Sequence, residues 1–262
     1  MKLDGKAMLL VIDIGNTDTT LGVFDGEELR ATWHLATEIH RRADEYAALL
    51  SNLLHYQHID TSDIKEVALC SVVPPLIPTF EELFKRYFHI SPLVVGAGVK
   101  TGVRIRMDNP REVGADRIVN TAAGHHLYGG PLIITDLGTA TTFDIVSREG
   151  DYLGGVIAPG IVTAAEALFM RAAVLPRVEL VRPKRAIGTN TITAMQSGII
   201  FGYVGLVESI VSRVQQELGE KAKVVATGGY AELIAKETPV IEVVNPDLTL
   251  VGLRLIYLMN QA

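Results

Sequence analysis

Only one cysteine, Cys70, occurs in 262 residues. No disulfide can therefore form within the chain, and such usage fits a reducing compartment. Cys70 lies in the apolar stretch from Val67 to Val73, where its expected role is packing rather than reactivity. Positive charge is also short, with 24 Lys and Arg against 30 Asp and Glu and a formal net charge of −6. No basic face is on offer, so no nucleic-acid partner is expected. Apolar runs are brief. The first, Met8 to Ile12, ends in Asp13, too soon for a signal core or a membrane span. The expectation is a cytoplasmic protein without a membrane partner, in which residues 1–7 simply precede the first strand. Two phosphate-binding signatures are missing: no G-x-G-x-x-G follows a strand, and no G-x-x-x-x-G-K-[ST] occurs. Their absence excludes a doubly wound dinucleotide fold and a P-loop. His55, His58 and the pair His125-His126 lack the Cys or His spacing of a metal site and read as helix-surface residues.

What the chain does contain is a repeat. Asp13-Ile14-Gly15-Asn16-Thr17-Asp18-Thr19-Thr20 is echoed 123 positions later by Asp136-Leu137-Gly138-Thr139-Ala140-Thr141-Thr142-Phe143. Aligned directly, the copies share Asp13/Asp136, Gly15/Gly138, Thr19/Thr142 and Val23/Val146. Each copy follows an apolar run that reads as a buried strand and precedes a β-prone stretch. A strand, a tight Asp-x-Gly turn with hydroxyl residues and a returning strand form a small cradle. Its glycine permits close backbone approach, and N–H groups with Thr hydroxyls suit phosphate oxygens. The aspartate suits a hard cation. One copy alone would most often be a turn with Asp capping its own backbone. Two copies in matching context point instead to a nucleotide site built from two related lobes, expected at 1–128 and 129–262.

The coarse pattern mixes strands and helices in both halves. A third strand is predicted over Glu28 to Leu35 after the Asp25-Gly26 turn, and a helix over Ala43 to His55. A strand follows from Ile64 to Val73, stopped by Pro74-Pro75, and then a helix from about Pro78 to Phe88. Leu93 to Val95 reads as a short strand, and Ala115 opens a helix that ends at Tyr128. In the second half the predicted elements are a strand from Tyr152 to Ile157 and helices over Val162–Arg171 and Thr189–Glu217. A strand over Val224–Ala226 and helices over Ala231–Lys236 and Leu248–Met259 complete it. The class is α/β with partly antiparallel sheets.

Two further features carry chemistry. Thr227-Gly228-Gly229 joins a predicted strand to a helix; it is a plain turn on local evidence, and a surface for adenine and ribose beside two phosphate cradles. The order cradle, cradle, Gly-Gly resembles the actin, sugar-kinase and heat-shock ATPase superfamily, whose lobes are duplicated RNase H-like folds. Asp116 could merely cap its helix. Yet Asp116 and Arg117 place a carboxylate and a guanidinium together, as a kinase needs to take a hydroxyl proton and hold an acidic acceptor.

With Asp13 to Thr17, Asn109-Pro110 through Gly114-Ala115-Asp116-Arg117, Asp136 to Thr142, Gly155 to Gly160, Gly188 to Thr191 and Ala194 to Gly198 in order, the chain resembles the type III pantothenate kinases. The resemblance runs from about Met8 to the C-terminus. It implies ATP-dependent phosphorylation of pantothenate, the first step of coenzyme A biosynthesis, by a homodimer. It further implies that Asp13, Ile14, Gly15, Asn16, Thr17, Asp18, Thr19 and Thr20 bind ATP phosphates, with Asp13 holding Mg²⁺. Thr139, Gly228 and Gly229 would also touch ATP, and Asp136 would hold a monovalent cation, K⁺ or NH₄⁺. Gly114, Ala115, Asp116, Arg117 and Thr191 would line the pantothenate site, with Asp116 as the base and Arg117 on the substrate carboxylate. Met107 departs from the family, which usually has tyrosine there; it offers apolar contact without a phenol hydrogen bond. A non-catalytic regulator on the same fold could dispense with the acid–base residue, which is present here. A chaperone-like ATPase would need a substrate domain for which no residues remain.

Overall fold

A computed structural model describes residues 7–261; of the seven residues expected to precede the first strand, all but Ala7 lie outside the described residues. Each sheet grows from a hairpin that the repeat supplies. In the first, β1 (Met8–Ile14) pairs antiparallel with β2 (Asp18–Asp25), and β2 with β3 (Glu28–Ala36). Gly26, at φ +61°, makes the second turn, a conformation that costs glycine little. The chain then crosses through α1 (Ala43–Tyr56) to β4 (Ile64–Ser71), parallel to β1, and through α2 (Ile77–Leu83) to the two-residue β5 (Leu93–Val94). Next comes α3 (Ala115–Tyr128).

The second sheet repeats this plan. Strands β6 (Leu132–Leu137), β7 (Ala140–Val146) and β8 (Tyr152–Pro159) form the antiparallel part. Helices α4 (Ile161–Arg171) and α5 (Thr191–Leu218) lead to β9 (Lys223–Thr227), parallel to β6, and α6 (Ala231–Ala235) leads to β10 (Val243–Val244). The strand orders are β3-β2-β1-β4-β5 and β10-β9-β6-β7-β8: one topology, used twice. Helix α7 (Leu248–Met259) ends the chain.

The register corrects the sequence alignment of the repeat. Asp13 lies opposite Thr20 and Ile14 opposite Thr19, whereas Asp136 lies opposite Thr142 and Leu137 opposite Thr141. The second turn is one residue shorter. Thr19 therefore corresponds to Thr141, both fully buried, and Val23 to Ile145; the direct pairing of Thr19 with Thr142 and of Val23 with Val146 holds only in the linear sequence. A one-residue slip exchanges the faces of a strand, so burial decides the correspondence.

Alternation along β1 sets the site. Leu10, Ile12 and Ile14 face the first core, formed with Tyr46, Leu50 and Leu54 of α1 and Phe80 and Leu83 of α2. Asp13 consequently points to the opposite face. There, α7 crosses close to α3: a Cβ on Gly252 would strike the Val119 carbonyl, and the Thr249 hydroxyl bonds Asn120 Oδ1 at 2.8 Å. The second core joins Ile133, Leu137, Phe143 and Ile145 to α5 and α6. Helix α5 is long and apolar enough to cross a membrane by composition, but it packs Ile199, Ile200, Val207 and Val211 into this core.

By contacts the chain divides into two compact units, one of residues up to Gly102, Asn109–Ala123 and everything from Thr249, the other of Val103–Asp108 and Gly124–Leu248. The expected lobe limits ran straight along the chain; the units exchange two segments, chiefly because α7 packs on α3. Smaller differences have local causes. The helix expected to reach Phe88 loses α geometry after Leu83, and Phe84–Phe88 form a widened turn with the two rings 5.3 Å apart. The long helix begins at Thr191 rather than Thr189, because Asn190 Oδ1 caps the Thr193 N–H at 2.9 Å.

Candidate functional site

In the first unit the turn between β1 and β2 is held from beneath by Thr37. The Thr37 hydroxyl donates to the Gly15 carbonyl at 2.8 Å, and its N–H to the Thr17 carbonyl at 2.8 Å. Gly15 N–H donates to the Asp18 carbonyl at 3.0 Å, and a Cβ on Gly15 would lie 2.8 Å from that oxygen. Asn16, Thr17 and Asp18 form the exposed tip. Ile14 is buried in the core and Thr19 shares its hydroxyl with Thr37 at 2.8 Å, so these two residues shape the turn through packing. Thr20 Oγ1 lies 3.2 Å from His34 Nδ1.

Asp13 stands at the end of β1, half-buried. Its in-register neighbour on β4 is Cys70, whose thiol donates to Asp13 Oδ1 at 3.2 Å. Burial pushes the Asp13 carboxyl up to about 7, and the nearby charge of Asp116 adds to the rise while the thiol hydrogen bond opposes it. Asp116 lies in the first turn of α3, with Oδ1 accepting the Arg117 N–H at 2.8 Å. Burial raises its carboxyl too, against that hydrogen bond and the Arg117 charge. Gly114 lets this arrangement close: a Cβ there would collide with Asp116 Oδ1 and touch Val72 at 3.6 Å. Val72 is tied to β1 through its N–H to the Ile14 carbonyl at 3.0 Å. Asp13 and Asp116 thus lie within one another's electrostatic reach, each less acidic than an exposed carboxylate. A cation between or beside such groups is favoured, and a carboxylate with a raised pKa is a better proton acceptor.

The second unit collects Asp136, Thr139, Gly228 and Gly229. Gly228, at φ +89°, lies so close that its Cβ would be 2.8 Å from the Leu137 backbone and would press on Asp136 Oδ1. The Tyr230 N–H donates to the Leu137 carbonyl at 3.3 Å, so the Gly-Gly turn is strapped onto the second cradle. The Thr139 carbonyl receives the Gly160 N–H at 3.1 Å and the Thr163 hydroxyl at 2.9 Å, which ties the cradle to the start of α4. Thr191, the first residue of α5, is exposed and lines a cavity of about 860 Å³ with Gly188, Asn190 and Met195. Met107 is half-buried on the Val103–Asp108 segment; the preceding Arg106 pairs with Asp151 at 2.7 Å.

Two contributors escaped the sequence reading. Thr37 follows β3 without any motif, and Cys70 bonds Asp13 in addition to the packing expected of it. Their signal is pairing across the sheet, which linear spacing does not carry. Among the described residues no three His, Cys, Asp or Glu side chains cluster as around a transition metal. A hard cation needs only one such carboxylate when phosphate oxygens and water complete its shell.

The arrangement can thus orient a polyphosphate on a backbone turn and present a carboxylate with raised proton affinity beside a guanidinium. Comparison with known proteins gives the family. The sequence model of the type III pantothenate kinase family matches residues 9–213. A type III pantothenate kinase of Dehalococcoides mccartyi strain CBDB1 is 59% identical over 253 residues, 97% of this chain and 96% of the relative. Its counterpart in strain ATCC BAA-2266 / KCTC 15142 / 195 is 59% identical over 254 residues, 97% and 98% of the two chains. Among solved structures, one described as a Baf family transcriptional activator from Campylobacter jejuni superposes with a TM-score of 0.60 at 20% identity, over 96% and 98% of the chains.

Proposed function

The chain belongs to the type III pantothenate kinase family, and from that premise we propose that Asp116 accepts the hydroxyl proton as ATP phosphorylates pantothenate. The activity is ATP-dependent formation of 4′-phosphopantothenate, the first step of coenzyme A biosynthesis. The observation that carries the assignment is the half-buried Asp116, its proton affinity raised by burial and its Oδ1 held by the Arg117 N–H. A general base works best with a pKa lifted toward the working pH. Arg117 is the group for the substrate carboxylate, since a guanidinium binds that anion in a bidentate manner.

The exposed Asn16-Thr17-Asp18 tip and the N–H groups around Gly15 take the β- and γ-phosphates, and Gly228 and Gly229 take the adenosine side. Asp13 fits Mg²⁺: its carboxyl is driven toward protonation by burial and by Asp116, a cost that a bound dication relieves. When bound, that ion supplies neutralisation of the phosphate charge that develops during transfer. Asp136, with the backbone of Gly138 and Gly228 at its carboxylate, fits the monovalent cation, K⁺ or NH₄⁺. Thr191 and Met107 belong to the pantothenate side. A homodimer is supported by apolar side chains exposed on the second unit, including Ile157, Met170, Val174 and Ile187. The chain works in the cytoplasm, in keeping with its single cysteine.

The test is a coupled ADP-release assay with pantothenate, Mg²⁺ and K⁺. Turnover above the ATP-only background is expected; ADP release indifferent to pantothenate would refute the reading.

A further inference from the structure

Strands β4 and β9 are the parallel neighbours of β1 and β6, and they share a pattern. β4 runs Val67-Ala68-Leu69 and then places Cys70 in register with Asp13. β9 runs Val224-Val225-Ala226 and then places Thr227 in register with Asp136. In both sheets three consecutive apolar residues are followed by a side-chain hydrogen-bond donor at the position beside the cradle aspartate. In the first sheet that donor is engaged: the Cys70 thiol, fully buried, donates to Asp13 Oδ1 at 3.2 Å. Packing alone would be served there by alanine or valine, as it is two and three residues earlier on either strand.

We propose that Cys70 is a positioning residue for phosphoryl transfer, its thiol fixing the orientation in which Asp13 receives the magnesium of Mg·ATP. The inference rests on the reading of Asp13 as the Mg²⁺ ligand. A carboxyl group turns freely about its Cβ–Cγ bond unless one oxygen is held, and an ion ligand that turns freely must be ordered again at each binding event. The hydrogen bond to Oδ1 holds that rotation and so fixes the direction in which the other oxygen is offered. Cys70 is buried and touches neither phosphate nor pantothenate in this scheme; it acts through Asp13. The thiol is also a weak donor, enough to set an orientation without drawing the carboxylate away from a cation.

Three variants test this: Cys70→Ala, which removes the donor; Cys70→Ser, which keeps one; and Asp13→Asn. The readouts are the Mg²⁺ concentration for half-maximal rate at saturating substrates and, without turnover, calorimetric binding of ATP at varied Mg²⁺ with pantothenate omitted. Partners of metal ligands typically contribute 10–100-fold to metal affinity. For Cys70→Ala the Mg²⁺ requirement should rise about tenfold, at the low end of that range because a thiol is a weak donor. The KM for pantothenate and the binding of metal-free ATP should hold, and Cys70→Ser should restore near-original behaviour. If Cys70→Ala does not fold, Cys70→Val fills the space without a donor and replaces it. An unchanged Mg²⁺ requirement in the donorless variant, or equal impairment of Ala and Ser variants, overturns the role of Cys70. If Asp13→Asn itself leaves the Mg²⁺ dependence unchanged, the Asp13 reading fails instead, so the two failures are distinguishable.

Discussion

The backbone N–H of Arg117 donates to Oδ1 of its neighbour Asp116 at 2.8 Å, which holds the carboxylate at the start of α3 while leaving its proton affinity raised by burial. An asparagine in place of Asp116 can accept the same hydrogen bond through its amide oxygen but cannot take a proton. Asp116→Asn should therefore lower kcat by about 10²–10⁴-fold, the usual contribution of a positioned base. ATP affinity by calorimetry and the thermal unfolding midpoint should stay near those of the parent. Loss of fold in this variant would assign Asp116 to helix capping instead.

Asp13 makes the metal-free protein sensitive to pH in a definite direction. Its folded-state pKa is about 7 against an ordinary 3.8, so between these values the folded protein binds more protons than the unfolded chain. Stability then falls as pH rises through that window and levels off above it. The raised pKa of Asp116 acts in the same direction. Unfolding midpoints from pH 4 to pH 8 in the presence of a chelator should show the decline, and Asp13→Asn should flatten it. A midpoint that climbs toward neutral pH in the parent and not in the variant would contradict the environment described for Asp13.

Two glycines separate effects on chemistry from effects on the fold. At Gly114 an added Cβ meets the tip of the Asp116 side chain, which can rotate away. Gly114→Ala should keep its unfolding midpoint and lose at least about tenfold in kcat, since a displaced base loses most of its contribution. At Gly228 the Cβ meets the Leu137 backbone and the residue sits at φ +89°. Strain of about 1–3 kcal/mol is expected for a non-glycine residue there. Gly228→Ala should lower the midpoint by several degrees and raise the KM for ATP. Equal behaviour of the two variants would argue against the separation.

At position 107, where the family resemblance implies a tyrosine, the chain has methionine. Met107→Tyr supplies a phenol hydroxyl, and a net hydrogen bond of about 1 kcal/mol corresponds to roughly a fivefold change in an equilibrium constant. The KM for pantothenate should fall by about that factor with kcat unchanged. A shift in the KM for ATP alone would remove Met107 from the pantothenate side.

Much of the fold was legible because its strands are short apolar runs ended by turn residues, and because its helices carry apolar stripes. The placement of Asp13, Gly15, Asp136, Gly138 and Asp116 was legible because it depends on a local turn or helix start, written in consecutive residues. The widened turn at Phe84–Phe88 was not, since periodicity alone does not report a local loss of α geometry. Nor was the two-residue β10, which is defined by its partner β9.

The amino-acid sequence by itself determined that there are two cradles, that each follows a buried strand, and that Asp116 and Arg117 share a helix start. These are short-range facts of turn chemistry and hydrophobic period. Tertiary structure alone decided which residues answer each other across strands. It matched Thr19 to Thr141 rather than Thr142, brought Thr37 under the first cradle, joined α7 to the unit of α3, and put the Cys70 thiol on Asp13. The pairing of Asp13 with Cys70 spans 57 positions, and within the two hairpins a one-residue change in turn length moves every side chain beyond it to the other face.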